Sequence, residues 1–174
     1  MNDIIKNMET RRSVRSYSDR AVSKEDLRLI MEAGEYAPSG MGAQDPVMVC
    51  ITDKDVISRI SKLNAEIMGT DSDPFYGAPA LIVVFGSRDR RTRCCDGSAA
   101  ITNMLNAAHS LGIDSCWIFR ARESFETEEG RAMMAAWGLP PEQYQGIGNV
   151  ILGYGDREYP KAAARKDGRI FWVE

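Results

Sequence analysis

The 174-residue sequence has one histidine, His109, and its four cysteines, Cys50, Cys94, Cys95 and Cys116, contain no C-x-x-C spacing. A zinc cluster and a histidine-based acid/base pair therefore lack their usual ligands. Cys50 and Cys116 fall in apolar runs, where a free thiol behaves as a small hydrophobe, and the pattern reads as reduced thiols of a cytoplasmic protein. His109 lies in an Ala-rich helical stretch, so packing or a local hydrogen bond is its expected role. No run approaches the roughly 18 apolar residues of a membrane span, and the opening Met-Asn-Asp-Ile-Ile-Lys has no apolar signal core. A Gly-rich strand-turn-helix for a pyrophosphate is also missing. Positive charge is in deficit, with 22 Lys and Arg against 25 Asp and Glu, which excludes the field a nucleic acid backbone requires.

What is present fits one compact domain spanning residues 1–174, since 44% of the residues are hydrophobic. Asp3 to Glu9 reads as a short helix. Ser23 to Asp26 resembles a capping box, and Leu27, Ile30, Met31 and Gly34 follow at helical spacing until Ala37, which precedes Pro38. Strands are expected at Val47–Ile51, Ala78–Phe85, Ile113–Phe119 and Gly146–Tyr154, and helices at Asp53–Met68, Asp96–Leu111 and Glu126–Trp137. Arg88 to Arg93 reads as a solvated basic loop. Ile170 to Val173 reads as a further strand in need of a partner. Alternating helices and strands without internal repeats imply an α/β or α+β class with helices on both faces of a central sheet.

Three segments carry candidate chemistry. Thr10 to Arg15 places Arg11, Arg12 and Arg15 beside Ser13, and a guanidinium fork suits phosphate or carboxylate. If the run is extended, Arg11, Ser13 and Arg15 share one side, and Arg12 and Val14 the other. By itself the run is either such an anion site or a solvated turn. The loop Ala37 to Pro46 has glycines that admit a flat ring, and Gln44 offers both a donor and an acceptor. Asn64, near the end of its helix, is either a surface residue or an amide contact to a ligand edge.

Taken in order, these segments resemble the nitroreductase family of flavin-dependent oxidoreductases. The resemblance rests on Arg11-Arg12-Ser13-x-Arg15, on Ala37-Pro38-Ser39 followed by Gln44 and Pro46, on Gly77-Ala78-Pro79 ahead of a strand, on Leu111-Gly112-Ile113-x-Ser115-Cys116-Trp117, and on the basic tail around Arg165. It implies an α/β (α+β) fold with a central mixed sheet, a homodimer, and a C-terminal strand that is a candidate for exchange between subunits. It further implies bound FMN, with Arg11 and Ser13 on the phosphate and ribityl side, Arg12 among the cofactor-binding residues, and Arg15 at the N1–C2=O edge as the catalytic tuning group. Arg165 and Lys166 would return to the phosphate, and Asn64, Ile118 and Phe119 would line the ring. Pro38, Ser39, Gly40, Met41 and Gln44 would reach the partner subunit's flavin.

The implied reaction passes hydride from NAD(P)H through flavin N5 to an electron-poor nitroaromatic or quinone by a ping-pong cycle. Alternatives on the same scaffold are a non-catalytic FMN-binding redox sensor or carrier, and a reductive dehalogenase or flavin-modifying enzyme. The chain departs from the family pattern at Gly42, where many members have Asn, at Asp45, and at Ala163, where a basic residue is usual.

Overall fold

The apolar run from Ala80 to Phe85 does not alternate with polar residues, so a strand made from it must be covered on both faces. The computed structural model, which describes residues 2–174, places it as β2 (Ala80–Ser87) in the interior of a four-stranded sheet, with Leu81 through Phe85 fully buried. The other strands are β1 (Val47–Ile51), β3 (Asp114–Ile118) and β4 (Tyr144–Gly153), in the spatial order β1-β2-β4-β3. The helices are α1 (Asp3–Thr10), α2 (Lys24–Glu35), α3 (Lys54–Met68), α4 (Arg93–Ser110), α5 (Ala121–Ser124) and α6 (Glu128–Ala136).

Alternate residues of β2 feed two cores. Leu81, Val83 and Phe85 join Ile57, Ile60 and Leu63 of α3 and Met133 and Met134 of α6. Ala80, Ile82 and Val84 join Leu27 and Ile30 of α2 and Ile101, Met104 and Leu105 of α4. Gly34 permits the close crossing of α2 over α4, because a Cβ there would lie 2.8 Å from Met48 Sδ and 3.0 Å from Met104 Cγ.

Local signals placed these elements well. Ser23 Oγ accepts from Asp26 N at 3.0 Å, as a capping box requires. Asp53 caps α3, and Gly69 ends it in the left-handed region at φ 72°.

The central sheet between helices is present, and its ladders all run antiparallel within one chain. The parallel pairing among the described residues is an isolated bridge between Ser13 and Ser115. The expected helix from Glu126 to Trp137 is α6, capped where Thr127 Oγ1 accepts from Gly130 N at 3.0 Å and ended at Trp137, and a further short helix, α5, precedes it. Ile170 to Val173 is not a strand. Residues 156–174 form no helix or strand, and Phe171 and Trp172 are 82% and 85% exposed.

Candidate functional site

The arginine run lies along the β3 edge of the sheet. Arg11 ends α1, its N–H donating to Asn7 O at 3.1 Å, and Val14 N donates to Ser115 O at 3.1 Å. Tyr17 bridges Gly155 beyond β4 and donates its hydroxyl to Val14 O at 2.8 Å. Val14 and Tyr17 are buried in the core, whereas Arg15 is exposed, so the run is laid down as an extended strip. Arg12 turns back instead of facing away with Val14. Its Nη1 donates to Glu9 O and Arg11 O, both at 2.7 Å, and so meets the carbonyls at the C-terminus of α1. Arg11 Nη1 and Arg12 Nε are buried with no hydrogen-bond partner among the described residues. A cavity of about 390 Å³ opens elsewhere, beside Tyr36 and Gln44, and a smaller one of about 190 Å³ opens between Ser13, Arg15, Asp114, Arg157 and Tyr159. The smaller cavity adjoins the run, and its chemistry, not its size, marks it.

The electrostatics of this strip follow from burial and from the arginines. Burial pushes the Cys116 thiol up, while the charges of Arg15 and Arg11 and the Ser13 hydroxyl pull the other way. Burial likewise drives the Tyr17 hydroxyl far above its ordinary range. His109 titrates below its usual value, through burial first and then the Arg11 and Arg12 charges, against an opposing pull from Asp114.

The second segment sits at the other edge. The loop that holds Pro38, Ser39, Gly40, Met41 and Gln44 leads into β1, and β2 and β4 separate it from β3 and the arginine run. Gly40 to Gly42 forms a single 3-10 turn, with Met41 in the left-handed region at φ 58° and 99% exposed. Gly40 N donates to Asp96 Oδ1 at 2.9 Å, and Asp96, buried in the first turn of α4, also accepts from Thr92 Oγ1 at 2.8 Å. Gln44 N donates to Ser39 Oγ at 2.9 Å. Asp45 is an internal cap, its Oδ2 accepting from Ser87 N at 3.0 Å.

Asn64 is not a surface residue but fully buried. Its Nδ2 donates to Phe119 O at 2.7 Å, and its Oδ1 accepts from Arg120 Nε at 3.2 Å. Ile118 ends β3 inside the core, and Phe119 projects at 66% exposure ahead of Arg120, which is left-handed at φ 71°. Arg165 and Lys166 are exposed in the strandless tail and make no hydrogen bond or ion pair among the described residues.

The Arg88 to Arg93 segment is likewise tied down instead of solvated. Arg88 donates to Pro141 O at 3.0 Å and pairs with Glu126 at 2.6 Å, and Arg93 Nε donates to Gln145 Oε1 at 3.1 Å. Burial raises the Glu126 carboxyl, but hydrogen bonds from Arg88 and Gln145 and the charges of Arg88 and Arg131 outweigh it and hold the pKa low.

Sequence reasoning missed Tyr159, whose hydroxyl accepts from Arg12 N at 2.8 Å, and missed Asp96 and Asn149. Only the adjoining Arg run and Gly40 turn could have pointed to them.

Comparison with known proteins agrees with this arrangement. A nitroreductase family profile matches residues 8–154. A protein of Archaeoglobus fulgidus, provisionally named an NADH dehydrogenase/NAD(P)H nitroreductase, is 33% identical over 162 residues, covering 88% of this chain and 86% of that one. An FMN reductase [NAD(P)H] of Bacillus subtilis is 36% identical over 76 residues, 44% of this chain and 30% of that protein. A nitroreductase of Bacteroides fragilis solved with bound FMN shares 30% identity and the fold across the whole of both chains, with a TM-score of 0.91. Because the profile spans the strip, the loop and all four strands, the chain belongs to the nitroreductase family.

Proposed function

We propose that the protein is an FMN-dependent NAD(P)H oxidoreductase that works as a homodimer and delivers electrons to an electron-poor acceptor such as a nitroaromatic or quinone. The observation that carries the reading is the pair of buried, unpartnered guanidinium nitrogens, Arg11 Nη1 and Arg12 Nε, beside the exposed Arg15. Buried cationic donors are costly unless an acceptor meets them, and a phosphate supplies several charged oxygens. The residues therefore fit the group that the Bacteroides fragilis structure contains.

In this reading Arg11, Arg12 and Ser13 hold the phosphate and ribityl chain, and the exposed Arg165 and Lys166 close over the phosphate. Arg15 places positive charge at the pyrimidine edge, where it stabilises negative charge and raises the reduction potential. FMN, when bound, supplies the hydride chemistry at N5. Asn64 and Asn149 hold the Phe119 carbonyl and so set the backbone that would face the flavin ring. Pro38, Ser39, Gly40, Met41 and Gln44 serve the partner subunit's site, because β2 and β4 lie between this loop and the chain's own arginine strip.

The test is retention of cofactor by the purified, flavin-reconstituted protein. FMN is expected in the denatured extract by mass spectrometry, with bleaching of the bound flavin by NADH or NADPH. FAD in its place, or no retained flavin, sinks the reading.

A further inference from the structure

Thr10, His109, Tyr159 and the backbone of Arg12 form one hydrogen-bonded chain across three segments far apart in sequence. Thr10 Oγ1 donates to Lys6 O at 2.8 Å, so its 2.9 Å contact with His109 Nε2 requires the imidazole to be the donor. A neutral ring with its proton on Nε2 leaves Nδ1 as an acceptor. On that side stands the Tyr159 hydroxyl, 3.4 Å away, whose oxygen already accepts from Arg12 N at 2.8 Å. The two rings also stack, with centroids 6.0 Å apart and planes inclined by 11°. Every proton then points the same way, from Arg12 to Tyr159, from Tyr159 to His109, from His109 to Thr10 and from Thr10 to the Lys6 carbonyl.

We propose that His109 is a positioning residue for the anion cradle: as the Nε2–H tautomer it latches Tyr159 onto the Arg12 backbone, and so fixes how Arg11 and Arg12 present their guanidinium groups to a phosphate. The proposal rests on the flavin-phosphate reading above. The latch acts on a strip otherwise pinned to β3 by the Ser13–Ser115 bridge and Val14 N. It also brings the segment that follows β4, where Arg157 and Tyr159 line the small cavity, to the run itself. The groups around the ring keep it neutral. Arg11 and Arg12 approach from the run, Thr10 and Tyr159 occupy its two nitrogens, and Asp114 at the start of β3 opposes the arginines without outweighing them and burial.

His109 is the single histidine of the chain, so its ring nitrogens are identified without ambiguity in a nitrogen-15 spectrum. The unmodified apoprotein is expected to show the Nε2–H tautomer. Tyr159→Phe keeps the ring stack, removes the hydroxyl, and should return His109 toward the mixture of tautomers seen for a free imidazole. Titration of FMN by quenching of its fluorescence should show affinity weakened by about tenfold in Tyr159→Phe and in His109→Phe, the scale of one net hydrogen bond. The double variant should be no weaker than the worse single variant, since two members of one latch are not additive. An Nδ1–H tautomer in the unmodified protein, or unchanged FMN affinity in Tyr159→Phe, overturns the latch. Inorganic phosphate separates the two readings. A phosphate-induced shift of the His109 resonances that Tyr159→Phe abolishes supports the latch even where FMN is not retained, and an unshifted spectrum in a protein that does bind FMN overturns it.

Discussion

Asn64 of α3 and Phe119 after β3 are joined by a 2.7 Å bond from the amide Nδ2 to the carbonyl oxygen, and the same side chain accepts from Arg120. A helix thereby fixes where an edge strand stops and turns. Replacement of Asn64 by Leu removes both contacts and leaves the Phe119 carbonyl to Asn149 alone, at 3.4 Å. The expected loss is about 1–3 kcal/mol, the cost of a buried polar group without a good partner. Urea unfolding of Asn64→Leu at the same midpoint as the unmodified protein would show that the turn holds without α3.

Arg11 and Arg15 differ in burial, and their variants should differ in kind. Arg11→Ala removes a buried, unpartnered donor and is expected mainly to weaken FMN binding. Arg15→Ala should lower the potential of the bound flavin by several tens of millivolts. A lost charge-assisted hydrogen bond is about 1.5–3 kcal/mol, and about 1.4 kcal/mol corresponds to roughly 30 mV for a two-electron couple. A redox titration of FMN-saturated Arg15→Ala that overlays the unmodified protein removes Arg15 from the ring edge.

The depressed pKa of His109 has a defined sign for stability. The unfolded chain takes up a proton near the ordinary imidazole value of about 6.5, while the folded protein resists it. As pH falls below that value the unfolded state therefore binds more protons and gains on the folded state; above it, His109 imposes no penalty. The apoprotein should lose stability between about pH 7 and the lower folded pKa, and His109→Gln should flatten that slope. Equal pH dependence of the urea midpoint in both proteins would contradict the assignment.

Gly40 has no room for a side chain, since a Cβ would lie 2.6 Å from Thr92 Oγ1 and 3.0 Å from Thr92 Cγ2. Gly40→Ala should displace Thr92 from Asp96 and loosen the loop, at about 1–3 kcal/mol. In a Thr92→Ala background, where the clash is gone, the same change should cost much less. Additive losses in the double variant would locate the strain elsewhere.

The proposed homodimer is tested at the tail. Ile170, Phe171, Trp172 and Val173 are exposed in the isolated chain, and so are Tyr36 and Met41 of the β1 loop. Changing Phe171 and Trp172 together to Ser should shift light scattering toward the monomer and lower FMN retention, because contiguous apolar surface of this kind needs a cover. A double variant that stays dimeric with FMN bound assigns the tail another role.

Local chemistry along the chain was enough to specify most elements. The apolar run of β2, the Ser23 cap, the Pro38 break and Gly69 act within a few residues, and strand β1 lies where its β-branched run places it. The Arg11 to Arg15 run marked the candidate anion strip, since three guanidinium groups in so short a span are visible without a fold. Other residues take their roles from distant partners. Asn64 was indistinguishable from a surface amide until Phe119, 55 positions on, met it in the interior. Arg88 and Arg93 looked solvated until Glu126, Pro141 and Gln145 accepted from them. Tyr159 carried no signal at all, because its meaning lies in the Arg12 backbone 147 residues earlier. Sequence by itself thus determined which segments become helix or strand and which carries the charge, for these depend on near neighbours. Only the tertiary structure decided which polar groups are buried and satisfied and which buried guanidinium nitrogens have no partner among the described residues, because that depends on pairings that chain proximity does not encode.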